Sequence, residues 1–91
     1  MDRGARIHKI LAEGLKAARV EVVDESHRHA GHAGARPEGE THYRVTVVAH
    51  VFDGRSRIQC HRMVYDLLTA EIEGGLHALA LTALTPAAES G

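Results

Sequence analysis

The chain is poor in cysteine and in aromatic residues, and it lacks tryptophan altogether. Cys60 is the single cysteine, so no intramolecular disulfide can form and a reducing compartment is favoured. Aromatic residues make up only 3% of the chain, so we expect a core of Val, Leu, Ile and Ala. Neither the apolar run of a signal peptide nor the ~20 apolar residues of a membrane span is found. We therefore expect a cytoplasmic protein without membrane contact.

An excess of one charge sign is also missing. Eleven Lys and Arg residues stand against 12 Asp and Glu residues, for a formal net charge of −1. A dedicated nucleic-acid binder usually carries a clear basic excess, which argues against that class. With 91 residues, of which 44% are hydrophobic, we expect one domain over residues 1–91 with an ordered core at about 3–85.

The spacing of apolar residues predicts an α/β (α+β) fold with the order α-β-β-α-β. We expect a three-stranded mixed sheet with both helices on one face. Chain without a helix joins the first two strands, which predicts antiparallel pairing, and we expect the third strand to run parallel to the first. The predicted elements are a helix over 3–18, strands over 20–23 and 43–52, a helix over 55–73 and a strand over 76–85.

Eight histidines are the most unusual feature of the composition. Three of them, His27, His29 and His32, lie in the aperiodic segment 25–41. A connection longer than about 12–15 residues is often functional. Exposed loop histidines and metal-binding histidines both fit this pattern, and a plain Zn²⁺ or Cu²⁺ site is compatible with it.

A basic run follows the turn after the second predicted strand. Arg55, Arg57, His61 and Arg62 lie in the stretch 54–65, which contains no acidic residue. At the start of a helix they could bind phosphate if the first amides of that helix are free. The alternative is an ordinary solvated helix start.

Cys60 lies inside the same helix start, where nearby cations can lower the pKa of a thiol and make it redox-sensitive. A buried and unreactive cysteine is the more usual outcome. No Ser/His/acid arrangement and no pair of carboxylates indicates catalysis, so we expect a protein that is not an enzyme.

Five segments, in order along the chain, resemble the successive motifs of the BolA family. They span nearly the whole chain and read VVDES (22–26), THYRV (41–45), FDG (52–54), HRMVY (61–65) and LHALAL (76–81). The resemblance implies a class II KH-like fold, in agreement with the element order above. It also implies two activities: binding a monothiol glutaredoxin through a shared [2Fe-2S] cluster, and binding DNA as a transcription regulator in stress response.

The resemblance assigns the cluster ligands to His29 in the loop and His77 at the head of the last strand. His32 and, less favoured, His27 flank the loop position in a loop that is longer than the family's usual one. The partner, with glutathione on its side, would bring the remaining ligands, so the isolated chain is expected to hold no cofactor and to be a monomer or a weak homodimer. A structural histidine is the alternative reading of His77.

For the DNA-binding alternative, the candidates are the residues of the acid-free basic run, Arg55, Arg57, His61 and Arg62. The family's segment usually reads Arg-His-Arg, whereas this chain has Cys60 at the first of these positions. One cation is therefore missing from the surface proposed for nucleic acid. We expect any DNA binding to be modest and strongly dependent on salt.

Overall fold

The structure is a computed structural model of the chain, and it describes residues 1–26 and 42–90. The predicted order of helices and strands is confirmed, although the second predicted helix is divided in two, and a 3₁₀ helix and a short C-terminal helix are added. No helix in these two ranges is both long enough and apolar enough to cross a lipid bilayer. The elements are α1 (Arg3–Gly14), β1 (Arg19–Asp24), β2 (His42–Val48), a 3₁₀ helix (His50–Phe52), α2 (Arg57–Leu67), α3 (Thr69–Glu73), β3 (Ala78–Leu84) and α4 (Pro86–Ser90).

The three strands form one mixed sheet in the order β1-β2-β3. β1 pairs antiparallel with β2, as predicted, and β3 pairs parallel with β2. The expectation that the third strand runs parallel to the first was therefore wrong, since a strand parallel to β2 runs antiparallel to β1. The crossover through α2 and α3 returns the chain beside β2, which is the most buried strand and takes the centre of the sheet.

The helices α1 and α2 cover one face of this sheet. The register pairs Val22 with Val45 and Val45 with Leu81, so these side chains line the same face. Aliphatic side chains dominate the core, as the composition predicted. Its buried members include Ile7, Leu11, Leu15, Val45, Val47, Phe52, Val64, Leu68 and Leu76.

The first helix ends at Gly14, four residues before the predicted end. Lys16 has a φ of 48°, in the left-handed region, and the Ala17 amide donates to the Ala12 carbonyl at 3.1 Å, which closes the helix end. Gly14 allows α1 and α2 to approach closely, because a Cβ there would lie 2.9 Å from Cδ1 of Leu67. The glycine that lowers the helix propensity therefore serves helix packing.

The second predicted strand also ends early, at Val48 rather than at residue 52. Strict alternation would turn the side chain of Phe52 away from the core. A 3₁₀ turn, in which the Phe52 amide donates to the Ala49 carbonyl at 3.3 Å, brings that ring inside to 1% exposure. Burial of the only phenylalanine outweighs the continuation of the strand.

The helix predicted over 55–73 is two helices with a break at Leu68. The Leu68 amide is shared between the carbonyls of Val64 and Tyr65, and its side chain is fully buried. The first helix of the two, α2, therefore ends at Leu67, and α3 begins at Thr69 on the other side of this buried residue. The predicted strand 76–85 starts two residues later, at Ala78, because Leu76 packs into the core.

One carboxylate ties the first helix to α3. Glu71 is 8% exposed and accepts hydrogen bonds from Arg6 Nε and Nη2, both at 2.9 Å, and from Arg3 Nε at 3.1 Å. Arg3 Nη2 also donates to the Gly74 carbonyl at 2.8 Å. The hydrogen bond from Arg6 lowers the pKa of Glu71, with Arg3 acting in the same direction against the cost of burial.

The C-terminal residues form α4, which lies beyond the ordered core expected at about 3–85. Glu89 of this helix accepts from Arg19 at 2.6 Å, although Arg19 lies on β1 at the far side of the sheet. The chain therefore passes back across the end of β2. Val48, at the end of β2, is only 1% exposed although its register places it on the face opposite α1 and α2.

Candidate functional site

His77 lies outside the core at the head of β3. Gly75, with a φ of 126°, turns the chain after α3, and the Leu76 amide then donates to the Glu71 carbonyl at 2.9 Å. Because Leu76 is buried, the next residue along the extended chain is directed to solvent, and His77 is exposed. The turn, the buried leucine and the clamped Glu71 together fix where this imidazole stands.

A second imidazole lies beside it. His42 is the first residue of β2 and pairs in register with Ala78, directly after His77. The ring centroids of His42 and His77 are 5.3 Å apart, with the planes tilted by 53°. The sequence did not single out His42 as a candidate ligand, and its side chain is 9% exposed. Sequence spacing carries no sign of this pair, because the parallel register joins residues 36 positions apart, such as His42 and Ala78.

The two ends of the histidine-bearing loop emerge at the same end of the sheet. Ser26 Oγ accepts from the His42 amide at 3.0 Å, and the Glu25 amide donates to the His42 carbonyl at 2.8 Å. The Ser26 amide in turn donates to Asp24 Oδ1 at 2.8 Å. The loop candidates His27, His29 and His32 lie outside the described residues.

An apolar notch borders His77. Its volume is about 250 Å³, and it is lined by Tyr65, Ile72, Leu76, His77, Ala78 and Leu79. Ile72 and Tyr65 are 40% and 38% exposed, and Tyr65 Oη donates to the Leu79 carbonyl at 3.4 Å. The sequence did not separate Ile72 from the core residues, since it follows the same helical spacing as Val64 and Leu68.

A set of metal ligands is not complete within residues 1–26 and 42–90. No group of three or more His, Cys, Asp or Glu side chains in these ranges is arranged to hold a metal ion. Cys60, the only thiol of the chain, is 5% exposed and lines a different groove from His77. The donors available therefore fit a cluster that takes imidazoles from this chain and thiolates from another molecule, and they do not fit a self-contained cluster.

The basic run forms a second site, here called the edge groove. This groove of about 400 Å³ lies between the start of α2 and the outer edge of β3, and Arg55, Arg57 and His61 line it. Arg62, the fourth predicted residue, is exposed and is not part of the lining. The floor includes Phe52 and Cys60, and the opposite wall is formed by residues 81–85 and 88.

The amides at the start of α2 are only partly available to a ligand. Ser56 caps the helix by accepting from the Gln59 amide at 3.1 Å, and Gln59 Oε1 accepts from the Ser56 amide at 2.9 Å. The phosphate site suggested for this helix start required free amides, and the capping box occupies the Gln59 amide. The burial of Cys60 agrees with the unreactive alternative for this thiol.

A scan against family models matches residues 11–88 to BolA-like protein. The chain is 45% identical over 90 residues to SufE-like protein 1, chloroplastic/mitochondrial, of Arabidopsis thaliana, covering 94% of this chain but 24% of that protein. It is 42% identical over 85 residues to the UV-induced protein uvi31 of Schizosaccharomyces pombe, covering 90% of this chain and 83% of that protein. Among solved structures, the BolA domain of SufE1 from Arabidopsis thaliana superposes with a TM-score of 0.85 at 44% identity, covering 96% of this chain and 95% of that one.

Proposed function

The chain belongs to the BolA-like protein family, and we propose that it is a non-catalytic adaptor that binds a monothiol glutaredoxin and shares a [2Fe-2S] cluster with it. In this proposal, this chain provides two ligands: His77 and one histidine of the loop. The favoured loop ligand is His29, followed by His32 and then His27. The glutaredoxin and its glutathione supply the two thiolates. When bound, such a cluster supplies one-electron and cluster-transfer chemistry.

One observation carries the proposal. The exposed His77 stands at the end of the sheet where the histidine-bearing segment leaves at Ser26 and returns at His42. Two imidazoles are a known replacement for two thiolates on one iron of a [2Fe-2S] cluster. The arrangement supports a site that is half provided by this chain and open to a partner.

The described residues contribute position and shielding. The ring of His42 packs against His77 and restricts the orientations open to it. The apolar notch beside His77 offers the exposed faces of Ile72 and Tyr65 to a docking protein, which would exclude water from one side of the site. A partner that seats on this notch would bring its thiolates next to the imidazole.

DNA binding is the second candidate, and the convergence of Arg55, Arg57 and His61 on one groove favours it. Three observations weigh against it: Arg62 lies outside that groove, the capping box occupies the Gln59 amide, and the formal net charge is −1. Binding to a phosphate backbone grows with the number of cations that contact it. The glutaredoxin-linked role is therefore the one we propose.

The test is reconstitution of the complex with a monothiol glutaredoxin, glutathione, iron and sulfide, followed by visible absorption and circular dichroism. His77→Ala should abolish the shared cluster and leave the far-ultraviolet spectrum unchanged, because the residue is exposed at a strand end. His50→Ala is the matched control, since its side chain is 81% exposed at the other end of β2. A wild-type cluster spectrum from the His77 variant would refute the site, and failure of the wild type to take up iron with any monothiol glutaredoxin would refute the partner.

A further inference from the structure

We propose that the outer edge of β3, over Leu81 and Ala83, binds an extended acidic segment of a partner protein as an added strand in the edge groove. This surface faces the start of α2 and is separate from the apolar notch beside His77. The proposal therefore does not depend on the shared cluster. It rests on the direction of the peptide groups of β3 and on the charges beside them.

The hydrogen bonds of β3 show which peptide groups face outward. The Ala49 amide donates to the Leu84 carbonyl at 3.1 Å, so the peptide groups of Leu84 face β2. Because these directions alternate along a strand, those of Leu79, Leu81 and Ala83 point to the outer edge. The Leu79 carbonyl agrees with this, since it accepts from Tyr65 Oη.

The outward groups of Leu81 and Ala83 have no hydrogen-bond partner among residues 1–26 and 42–90. Both residues line the edge groove. An open strand edge of this kind is a template for a further strand, and proteins use it to bind extended peptides through main-chain hydrogen bonds. Tyr65 closes the edge at Leu79, so the space for an added strand begins at Leu81.

The charges that line the edge groove have one sign. Arg57 and His61 are one helical turn apart on α2, and neither forms an ion pair with any described residue. Arg55 is held in place because its Nε donates to the Val51 carbonyl at 2.9 Å. No carboxylate is among the described residues that line the groove. An added strand with Glu or Asp side chains toward α2 would complement the guanidinium groups of Arg55 and Arg57, and its carboxylates would accept hydrogen bonds from the imidazole of His61.

A peptide fits this groove better than a nucleic acid does. The alternating donors and acceptors of Leu81 and Ala83 match a peptide backbone, and the floor at Phe52 and Cys60 is largely apolar. Three basic side chains are few for binding that depends on the release of counterions from phosphates. The acidic strand is therefore the occupant we infer.

The direct test is a nuclear magnetic resonance titration of the full chain with a short capped peptide that alternates glutamate and valine. We expect shifts confined to β3 and the start of α2, and slower hydrogen exchange at the amides of Leu81 and Ala83. The same peptide with lysine in place of glutamate should bind more weakly. A glutamate peptide methylated on its backbone nitrogens should not bind, because it lacks the N–H groups that would donate main-chain hydrogen bonds to β3.

The charge contribution is tested with the double variant Arg57→Gln and His61→Gln. Its affinity for the glutamate peptide should fall by roughly three- to tenfold, as expected for the loss of one partly exposed ion pair at Arg57 and one hydrogen bond at His61. Arg62→Gln is the matched control, because it removes an exposed cation from α2 outside the groove and should change affinity by less than about twofold. Circular dichroism of each variant checks the fold.

Three other outcomes would overturn the proposal. Equal binding of the glutamate and lysine peptides, or shifts outside the groove, would remove the assignment of an acidic strand. Binding of a single-stranded oligonucleotide at Arg57 and His61, without binding of the glutamate peptide, would make the edge groove a nucleic-acid site. That result would also restore the DNA-binding alternative.

Discussion

The imidazole of His42 packs against that of His77, with ring centroids 5.3 Å apart and the planes tilted by 53°. One ring is buried and begins the central strand, whereas the other is exposed and precedes the edge strand. The parallel register between His42 and Ala78 brings them together. The exposed imidazole thus has a rigid neighbour on one side, which limits the orientations it can take.

This contact predicts that His42 positions His77 and is not itself a ligand. Aromatic contacts of this kind contribute about 0.5–1.5 kcal/mol, so His42→Ala should lower cluster retention by roughly two- to tenfold. His42→Phe keeps an aromatic ring against His77 and should retain most of the cluster that His42→Ala loses. The measurement is the rate of cluster loss from the glutaredoxin complex, followed by visible circular dichroism. If His42→Phe loses the cluster as completely as His77→Ala, His42 is a ligand.

The loop histidines should differ in their effect on the same complex. The motif match assigns the ligand to His29, so His29→Ala should reduce cluster formation strongly. His32 is three positions away and should substitute in part, so His32→Ala and His27→Ala alone should have little effect. The combination of His29→Ala with His32→Ala should match the loss seen with His77→Ala. Wild-type cluster yield in that double variant would move the second ligand out of the loop.

The Glu71 clamp predicts a loss of stability in acid. The hydrogen bonds from Arg6 and Arg3 lower the pKa of Glu71 below its ordinary value of 4.5. The ionised carboxylate therefore stabilises the fold fully at pH values above 4.5, and this stabilisation is lost as the pH falls through the lowered pKa. At neutral pH, Glu71→Gln should lower the free energy of unfolding by about 2–3 kcal/mol. Urea denaturation across the acid range measures both effects.

Glu73→Gln is the control for the clamp, because Glu73 is exposed on the same helix. Its free energy of unfolding should lie within about 0.5 kcal/mol of the wild type at all pH values. The free energies of unfolding of the Glu71→Gln variant and the wild type should converge as the solution is acidified. A constant difference down to strongly acid pH would show that the carboxylate charge is not what stabilises the clamp.

A pair of identical substitutions tests the assignment of the two sheet faces. Val45→Ala removes methyl groups from a fully buried position in β2, whereas Val23→Ala does so at a position of β1 that is 41% exposed on the other face. We expect a loss of about 2–3 kcal/mol for the first and less than about 0.5 kcal/mol for the second. Chemical denaturation gives both values. Similar losses would mean that the second face is also covered.

Several features followed from the sequence because they depend on local pattern. The alternation after Tyr43 and the helical spacing of Ile7, Leu11 and Leu15 predicted the elements and the helix-covered face. The series of motifs, from 22–26 to 76–81, predicted the family, which the match over residues 11–88 confirms. The same motifs predicted His77 as a candidate ligand, and its ligand role stays a prediction.

Where the sequence failed, a distant contact outweighed a local preference. Phe52 left the strand pattern because its ring gains more from burial in the core than from the continuation of alternation. The helix over 55–73 broke at Leu68 for the same reason, since a fully buried leucine fixes the chain there. Neither effect is visible to a reading that considers only neighbouring residues.

The sequence by itself determined the elements, the composition of the core and the family, because periodicity and motif order are properties of the chain. Only the tertiary structure decided that β3 lies beside β2, which sets His42 against His77 and leaves the peptide edge at Leu81 open beside Arg57. The physical reason is that strand order and parallel register are chosen by the packing of whole faces against each other. Spacing along one strand or one helix carries no information about that choice.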